Sequence, residues 1–418
     1  MLKTVLCVDI GTTSLKAGLF TADGEAVFLC RKSFSEPDDR YVAKQWMNAL
    51  AQTVEKMKRE IIRTSLRQSN NKEEISIEGI CISGAGPTLV LESGLTLRWN
   101  EELPKNLYLT SFEKMSLFIP RILMLRLLFE EEYQKSSMIF SGPEFLIYQM
   151  TKKAVTILPE KRFERAYWND ERLLDSKIEA EKLPAFVEVG AKAGNLTKEA
   201  ADLLKLPEGL PVFTGAPDFV VALIGTNTLQ PGRLCDRAGS SEGFNFCSDK
   251  QIFSAEIRTL PSVIPELWNI SALTTESGRI FVEYKHRLEK ERGKTIDYEK
   301  LVKEAVDKPN TEGGMILMKI LNQVKESVDL LRKTLEAEGV NFPKVMAVTG
   351  GQAKNDLWMQ KKADALGMTL EICNCADSEL TGDACAAWYG LGAYASIQDA
   401  ANHIVKVTKR FIPQNENI

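Results

Sequence analysis

The strongest constraint on the fold is an order of short strands, glycine turns and a helix that occurs in both halves of the chain. In the first half, apolar runs at 4–9, 15–20 and 25–30 alternate with turns, and a helical apolar pattern over about 43–65 precedes a strand-like run at 76–83. Short apolar runs separated by turn residues predict a β-meander, and apolar residues at helical spacing predict a helix.

The same order returns in the second half. Strand-like runs at 233–238 and 243–247 flank a glycine turn, a long helical pattern covers about 318–338, and a strand-like run at 344–349 ends at a glycine pair. Because an internal repeat of this kind can determine a whole fold, the two copies indicate two similar lobes.

We therefore predict an α/β protein with two ribonuclease-H-like domains, each built on a mixed five-stranded sheet, with a cleft between them. A Gln-Pro-Gly turn at 230–232 lies between two apolar segments, so we expect an N-terminal domain over 1–229 and a C-terminal domain over 230–418. A chain of 418 residues has the length for two domains of ordinary size.

Composition excludes several classes of function. The net charge of −4 offers no basic face for nucleic acid, and no apolar run approaches the length of a membrane span. The N-terminus lacks the pattern of a signal peptide, so we expect a cytoplasmic protein; a homodimer is compatible with these observations. The two histidines, His286 and His403, lie in polar stretches, which leaves carboxylates as the candidates for acid–base chemistry.

Two glycine turns are candidates for phosphate binding, because glycine and small hydroxyl residues let backbone N–H groups approach an anion. They comprise Gly11, Thr12, Thr13 and Ser14 in the first half and Gly239, Ser240 and Ser241 in the second. Asp9, at the end of the first strand, could hold Mg²⁺ through water. A single turn of this kind is better explained as an ordinary hairpin loop, but two at equivalent places of a repeat favour phosphate binding.

With these motifs in order, the chain resembles the FGGY family of carbohydrate kinases, members of the actin-like ATPase superfamily, and its layout is most similar to the xylulose kinase branch. The family's D-x-G-T-x-S-x-K segment is matched from Asp9 to Lys16, and its G-x-x-D turn is matched from Gly215 to Asp218. Its Gly-Gly-x-x-x-(Asn/Ser)-x-x-Trp segment is matched from Gly350 to Trp358. The similarity runs in order to about residue 395.

The resemblance implies transfer of the γ-phosphoryl group of ATP to a hydroxyl of a small sugar or polyol, with Mg²⁺. It makes Asp218 the general base, although an Asp at this place could instead cap the following apolar helix. It implies binding of Mg²⁺ through water by Asp9 and Asp218, and nucleotide binding by Asp9, Gly11, Thr12, Thr13, Ser14, Lys16, Gly239, Ser240, Ser241, Gly350, Gly351, Gln352 and Asn355. On the substrate side it points to Trp99, Asn100 and Phe219.

The chain departs from the family pattern mainly on the substrate side. The family's Gly-Gln-x-x-Gly turn is Gly84–Pro87 here, the aspartate and arginine of its Trp-x-Asp-x-Arg segment are missing after Trp99, and Phe219 replaces a polar residue. A Pro-Tyr-x-x-Gly-Glu-Arg segment is also missing after Gly314. Two functions follow: a kinase for a ketopentose such as xylulose, or else for a glycerol-like polyol, and alternatively a nucleotide-binding regulatory or interaction protein with a degenerate sugar site.

Overall fold

A computed structural model describes residues 1–67, 74–274 and 276–414 of the chain. It divides into two compact units, the first formed by Met1–Val221 with Glu379–Ile404 and the second by Ala222–Ser378 with Val405–Ile418. The last four residues of the second unit lie outside the described residues. The linear division at 229 and 230 stays a prediction, whereas the compact units are discontinuous because a C-terminal segment joins the first one.

The chain up to residue 225 alternates strands with short helices. Its elements are β1 (Leu2–Ile10), β2 (Ser14–Thr21), β3 (Ala26–Ser33), α1 (Trp46–Arg67), β4 (Ile75–Gly84), β5 (Leu89–Leu91), β6 (Thr96–Leu97), α2 (Ile119–Leu128), α3 (Glu130–Lys135), β7 (Ile139–Phe140), α4 (Pro143–Thr151), β8 (Thr156–Ile157), α5 (Asp170–Asp175), β9 (Phe186–Val187), β10 (Lys192–Asn195), α6 (Lys198–Leu204), β11 (Pro211–Pro217) and α7 (Asp218–Gly225).

The remaining chain contains the longest helix. Its elements are β12 (Leu234–Ala238), β13 (Glu242–Ser248), β14 (Arg258–Pro261), β15 (Trp268–Thr274), α8 (Gly278–Arg292), α9 (Tyr298–Asp307), α10 (Glu312–Ala337), β16 (Val345–Thr349), α11 (Asp356–Leu366), β17 (Thr369–Cys373), α12 (Ser378–Gly390), α13 (Ile397–Ile404) and β18 (Val407–Phe411).

The first unit is built on a six-stranded sheet in the order β10-β11-β4-β1-β2-β3. Strand β1 pairs antiparallel with β2 and parallel with β4, and β2 pairs antiparallel with β3, as the meander predicts. The middle of β1 is buried, with Val5, Cys7 and Val8 fully inaccessible to solvent. This burial is typical of a strand covered on both faces, and the C-terminal end of β1 is buried as well.

The second unit repeats this arrangement in a seven-stranded sheet of order β14-β15-β13-β12-β16-β17-β18. Strand β12 pairs antiparallel with β13 and parallel with β16, as β1 does with β2 and β4. The predicted strand order is therefore present in both sheets, but the predicted number of five strands in each sheet is wrong. The additional strands β10, β14 and β18 lie at the edges, where polar residues and proline are common.

The long helix of the second half is confirmed, with an earlier start than predicted. Helix α10 begins at Glu312, where the Thr311 side chain accepts a hydrogen bond from the Gly314 N–H at 3.3 Å. A Cβ at Gly314 would collide with the backbone of Lys308 and Pro309, so the helix begins where its backbone packs closely on the preceding loop. The buried side of α10, which includes Val324, Val328 and Leu331, forms part of the core of the unit.

None of the described helices combines the length and the apolar character that crossing a membrane would require.

Candidate active site

The first glycine turn joins β1 to β2 and brings Asp9 beside Lys16. The two residues are direct partners in the antiparallel register, and the turn is closed by a hydrogen bond from the Gly11 N–H to the Ser14 carbonyl at 2.9 Å. Lys16 Nζ lies 3.2 Å from Asp9 Oδ2. The spacing D-x-G-T-x-S-x-K therefore produces an ion pair at the end of the hairpin.

The hydroxyl residues of this turn differ in their surroundings. Ser14 is buried, and its Oγ accepts a hydrogen bond from Arg31 Nε at 2.8 Å. Thr12 is half-buried, and its Oγ1 accepts one from Trp99 Nε1 at 3.1 Å, while Thr13 is exposed. Thr12 and Thr13 are thus the members of the turn that a ligand could reach.

Helix α12 adds further carboxylates beside Asp9. Glu379 Oε2 lies 3.3 Å from Lys16 Nζ, and Asp383, one helical turn later, accepts a hydrogen bond from Ser83 Oγ at 2.7 Å. Burial raises the pKa of Asp9; the Lys16 cation opposes this shift, and the charges of Glu379 and Asp218 add to it. Burial also raises the pKa of Asp383 well above its ordinary range. The cluster therefore has a surplus of carboxylates over cations.

Two glycines permit this close packing. A Cβ at Gly382 would collide with the Val221 carbonyl, and a Cβ at Gly215 would collide with Asp383 Oδ1 and the Ile82 carbonyl. Glycine at these positions lets α12 approach the ends of β4 and β11. The G-x-x-D turn and Gly382-Asp383-Ala384 of α12, which are far apart in sequence, thus form one site in the first unit.

Asp218 is the first residue of α7 and directly follows β11. It is half-buried, and its charge is close enough to that of Asp9 to raise the pKa of Asp9. Its position at the end of a strand is the one predicted from the sequence. Its catalytic role stays a prediction.

The residues beside Asp9 are compatible with Mg²⁺. Asp9 Oδ1 is buried and has no hydrogen-bond partner in the described part of the chain, so an acceptor is available for a cation or its water. Among the described residues no group of three or more His, Cys, Asp or Glu could hold a metal by itself. Mg²⁺ usually keeps several waters and binds proteins through one or two carboxylates, which two aspartates could provide.

A pocket opens beside the first turn in the same unit, with about 340 Å³ of empty space that includes open solvent. It is lined by Ile10, Gly11, Thr12, Val42, Trp46, Ala85, Thr88, Thr96, Arg98, Trp99, Gly142 and Pro143. The structure thus brings the predicted substrate residue Trp99 together with Gly11 and Thr12. Asn100 is exposed, and the Phe219 ring lies 6.5 Å from that of Phe163; neither is among the residues that line the pocket.

Arginines that the sequence did not single out hold the segment around Trp99. Arg121 donates hydrogen bonds to the carbonyls of Arg98, Trp99 and Glu101, the first at 2.8 Å. Arg40 contacts both carboxylate oxygens of Glu101, at 2.7 and 2.8 Å. Glu101, at the place of the family's aspartate, is therefore engaged by protein groups.

The second glycine turn joins β12 to β13 in the second unit. Its Gly239 N–H donates to the Ser241 carbonyl at 3.0 Å, and the Ser240 carbonyl accepts from the N–H groups of Ser277 and Arg279 at 3.3 and 3.1 Å. The Ser240 and Ser241 side chains are exposed. The start of α8 thus fixes the turn while leaving its hydroxyls open.

Gln352 connects this turn to a second pocket. Its Nε2 donates to the Gly239 carbonyl at 3.1 Å and to Glu242 Oε1 at 2.7 Å, and its Oε1 accepts from Trp358 Nε1 at 2.7 Å. The pocket has about 280 Å³ of empty space, open solvent included, and is lined by Gly278, Phe281, Tyr298, Val302, Leu317, Ile320, Gln352, Asn355 and Trp358. Its lining is mainly apolar.

The other predicted nucleotide residues lie beside this pocket. Asn355 caps α11, with its Oδ1 accepting from the Trp358 N–H at 2.9 Å. Gly350 has φ +97°, and a Cβ there would come within 2.6 Å of the Ala238 carbonyl. Gly351 is exposed, with open space where a Cβ would be.

A fully buried ion triad beneath the second turn was not predicted. Lys362 Nζ lies 2.7 Å from Asp236 Oδ2 and 2.8 Å from Glu242 Oε2, and all three side chains are 0 % exposed. Burial and the Glu242 charge raise the pKa of Asp236. Lys362 lies on the buried face of α11, which also carries Trp358 and Met359, and no signal in the sequence marks it as buried.

Comparisons with known proteins agree with this geometry. Residues 316–391 match the model of the FGGY family of carbohydrate kinases, C-terminal domain. The chain is 25% identical to the L-fuculokinase of Salmonella typhi over 260 residues, which cover 56% of this chain and 55%, about half, of that protein. It is 20% identical to the xylulose kinase of Bacillus subtilis, over 100% of this chain and 94% of that protein.

A solved structure is similar over nearly the whole chain. The ligand-bound xylulose kinase from Lactobacillus acidophilus has a TM-score of 0.75 and 16% sequence identity, covering 99% of this chain and 94% of that chain. The predicted α/β class and two-domain fold are thereby confirmed. Together these matches confirm the resemblance read from the motifs, and the chain is related to the FGGY family of carbohydrate kinases.

Proposed function

We propose that this protein is an ATP-dependent carbohydrate kinase that phosphorylates a hydroxyl of a small sugar or polyol. The observation that carries the proposal is the position of Asp218, half-buried at a strand end and near enough to Asp9 for its charge to raise the pKa of Asp9, in the unit that also holds the first glycine turn and the Trp99 pocket. Its relatives include a xylulose kinase, which makes a ketopentose such as xylulose the first acceptor to test and a glycerol-like polyol the next.

In this mechanism Asp218 accepts the proton of the acceptor hydroxyl as the oxygen attacks the γ-phosphorus. The new O–P bond forms as the bond to the β-phosphate oxygen breaks, and ADP leaves. Phosphoryl transfer of this kind depends on positioning and charge neutralisation more than on covalent chemistry. Mg²⁺, held through water by Asp9 and Asp218, would neutralise phosphate charge.

We assign the nucleotide to the two glycine turns and to the second pocket. The exposed Thr13, Ser240 and Ser241 and the open backbone at Gly351 support phosphate contacts. Gln352 and Asn355, at the second pocket, support an adenosine site. Lys16 is paired with Asp9 and Glu379, so its role would be to hold these carboxylates beside the phosphates.

The test is phosphorylation of a panel of ketoses, polyols and glycerol by the purified protein with ATP and Mg²⁺. We expect ADP release that depends on one class of acceptor. If ATP binds but no alcohol on a broad panel is phosphorylated, the alternative of a nucleotide-binding regulatory protein replaces the kinase proposal. The Gly84–Pro87 turn, which has no polar side chain, is the feature that favours this alternative.

A further inference from the structure

The polar groups that line the pocket beside Trp99 are unusual for a site that binds a neutral polyol. Among the described lining residues the one formally charged side chain is that of Arg98, and there is no carboxylate. Of the hydroxyls, Thr12 Oγ1 already accepts from Trp99, and Thr96 Oγ1 donates to the Gly94 carbonyl at 3.0 Å. The described lining therefore offers a cationic side chain to a ligand and no anionic one.

Two of these donors lack a partner. Trp46 Nε1 and Arg98 Nε are buried and make no hydrogen bond within the described part of the chain. The terminal nitrogen of Arg98 donates to the carbonyls of Pro37 and Asp39 at 2.6 and 2.8 Å. These neutral carbonyls fix the guanidinium without cancelling its charge. Buried donors without an acceptor are unfavourable, so a ligand that supplies acceptor oxygens would be favoured.

The charges around Arg98 leave a positive surplus. Glu101 accepts a hydrogen bond from the Arg98 backbone N–H at 2.7 Å, but both oxygens of the Glu101 carboxylate are bound by Arg40. Arg121 also lies near enough for the Glu101 charge to act on the pKa of Arg121. The Asp39 carboxylate accepts from the Tyr41 N–H at 3.1 Å. Arg40, Arg98 and Arg121 thus outnumber the Glu101 and Asp39 carboxylates that lie beside them.

A polyol hydroxyl both donates and accepts hydrogen bonds, whereas a carboxylate only accepts them. We propose that the acceptor substrate carries a carboxylate, as a sugar acid does, and that Arg98 binds this group while a hydroxyl of the same molecule receives the phosphoryl group. The inference rests on the proposed kinase function and defines its substrate class. The carboxylate is unchanged in the reaction: the hydroxyl proton passes to Asp218 and the γ-phosphoryl group to the hydroxyl oxygen. A single guanidinium matches a monoanionic carboxylate better than a phosphate ester, which carries about −1.5 to −2.

The experiment compares acids with their neutral counterparts on the full-length chain. Glycerate and glycerol, xylonate and xylitol, and gluconate and glucitol differ only in a carboxylate against a CH₂OH group. Binding is measured by calorimetry without nucleotide, and turnover with ATP and Mg²⁺. In at least one pair we expect the acid to bind about tenfold more tightly or better, which is the range of a charge-assisted hydrogen bond.

Substitutions assign the preference to Arg98. In Arg98→Gln the acid should lose its advantage over the neutral member, and Arg98→Lys should restore part of it. Arg126, which also donates to backbone carbonyls in this unit, provides the matched control: Arg126→Gln should keep the preference. The wild-type ratio tests the inference even if an Arg98 variant fails to fold.

Equal or tighter binding of the neutral members, or binding of neither member of any pair, overturns the inference. Turnover of neutral polyols alone would also overturn it and leave the kinase function standing. A preference for acids in binding with no turnover of any acceptor would support the inference and contradict the kinase function.

Discussion

Lys16 Nζ lies 3.2 Å from Asp9 Oδ2 and 3.3 Å from Glu379 Oε2, which joins the first hairpin to helix α12 by one cation. Because both carboxylates form ion pairs with Lys16, the charge of Lys16 is largely neutralised within the protein. Asp9 Oδ1, on the other side of the same carboxylate, has no partner in the described residues. Asp9 can therefore be held by Lys16 and still offer an oxygen to Mg²⁺ or its water.

Asp9→Asn should weaken the dependence of nucleotide binding on Mg²⁺. The amide keeps the size and one acceptor oxygen but removes the charge, so the Mg²⁺ concentration for half-maximal ATP binding should rise by about tenfold or more. Titration of Mg²⁺ at fixed ATP, followed by calorimetry, measures this change. An unchanged Mg²⁺ requirement would contradict the role of Asp9.

Lys362→Met should destabilise the protein by about 3 to 5 kcal/mol, because it leaves Asp236 and Glu242 buried without their cation. The neighbouring Lys361 is exposed and serves as the matched control, with an expected change within about 0.5 kcal/mol for Lys361→Met. Denaturant unfolding of the three proteins gives both values. Equal stability of the two variants would show that the triad contributes little.

The pH dependence of the free energy of unfolding should show the effect of the raised pKa of Glu144. Burial raises its pKa from 4.5 to about 7, so the folded state holds the proton more tightly than the unfolded state. The resulting stabilisation is fully present below pH 4.5 and is lost as pH rises through about 7. Relative to Glu144→Gln, which cannot ionise, the wild type should lose roughly 2 to 4 kcal/mol across this window.

Unfolding free energies at the two ends of the window, for wild type and for Glu144→Gln, test this expectation. Gln can still accept the hydrogen bonds that Ser141 Oγ and the Ile157 N–H donate to Glu144 Oε1, at 2.6 and 2.9 Å. Glu208 is exposed, and Glu208→Gln should follow the wild-type pH profile. Parallel profiles for wild type and Glu144→Gln would refute the assignment.

Much of the fold could be predicted because its signals are local in sequence. Strands β1, β2, β12 and β13 are apolar runs that end at glycine turns, and their hairpins place Asp9 beside Lys16 by register alone. The edge strand β18 reads Val-Thr-Lys-Arg-Phe and is mostly exposed, so no apolar pattern marks it. Its place in the sheet depends on pairing with β17, a relation that residue spacing does not encode.

The parts of the site that could not be predicted depend on contacts between distant segments. Lys362 is 126 and 120 residues from its partners Asp236 and Glu242. In the sequence it belongs to a Lys-Lys pair, a pattern that predicts exposure to solvent. Arg121 likewise reads as an ordinary charged helix residue, yet it holds the carbonyls around Trp99. Burial and pairing of charges become visible only in three dimensions.

Gly239→Val should weaken ATP binding by about tenfold or more with little loss of stability. A Cβ at Gly239 would meet only the Ser241 carbonyl at 3.4 Å, an ordinary contact, so the fold can accept a side chain there. The branched side chain would, however, keep a phosphate from the backbone of the turn. Calorimetry with ATP gives the affinity, and Ser254→Val, in an exposed loop of the same unit, is the control. Unchanged ATP affinity in Gly239→Val would remove this turn from the nucleotide site.

Asp218→Asn should separate catalysis from binding. Asp218 begins α7 and is half-buried, so the amide fits the same place and the fold should persist. The amide cannot take the hydroxyl proton, and loss of a general base lowers kcat by about 10²- to 10⁴-fold. ATP affinity should stay near that of the wild type, in contrast to the Mg²⁺-dependent change in Asp9→Asn. Single-turnover phosphorylation of an accepted substrate and ATP calorimetry on both variants measure the two effects. Near-normal turnover by Asp218→Asn would mean that another group receives the proton.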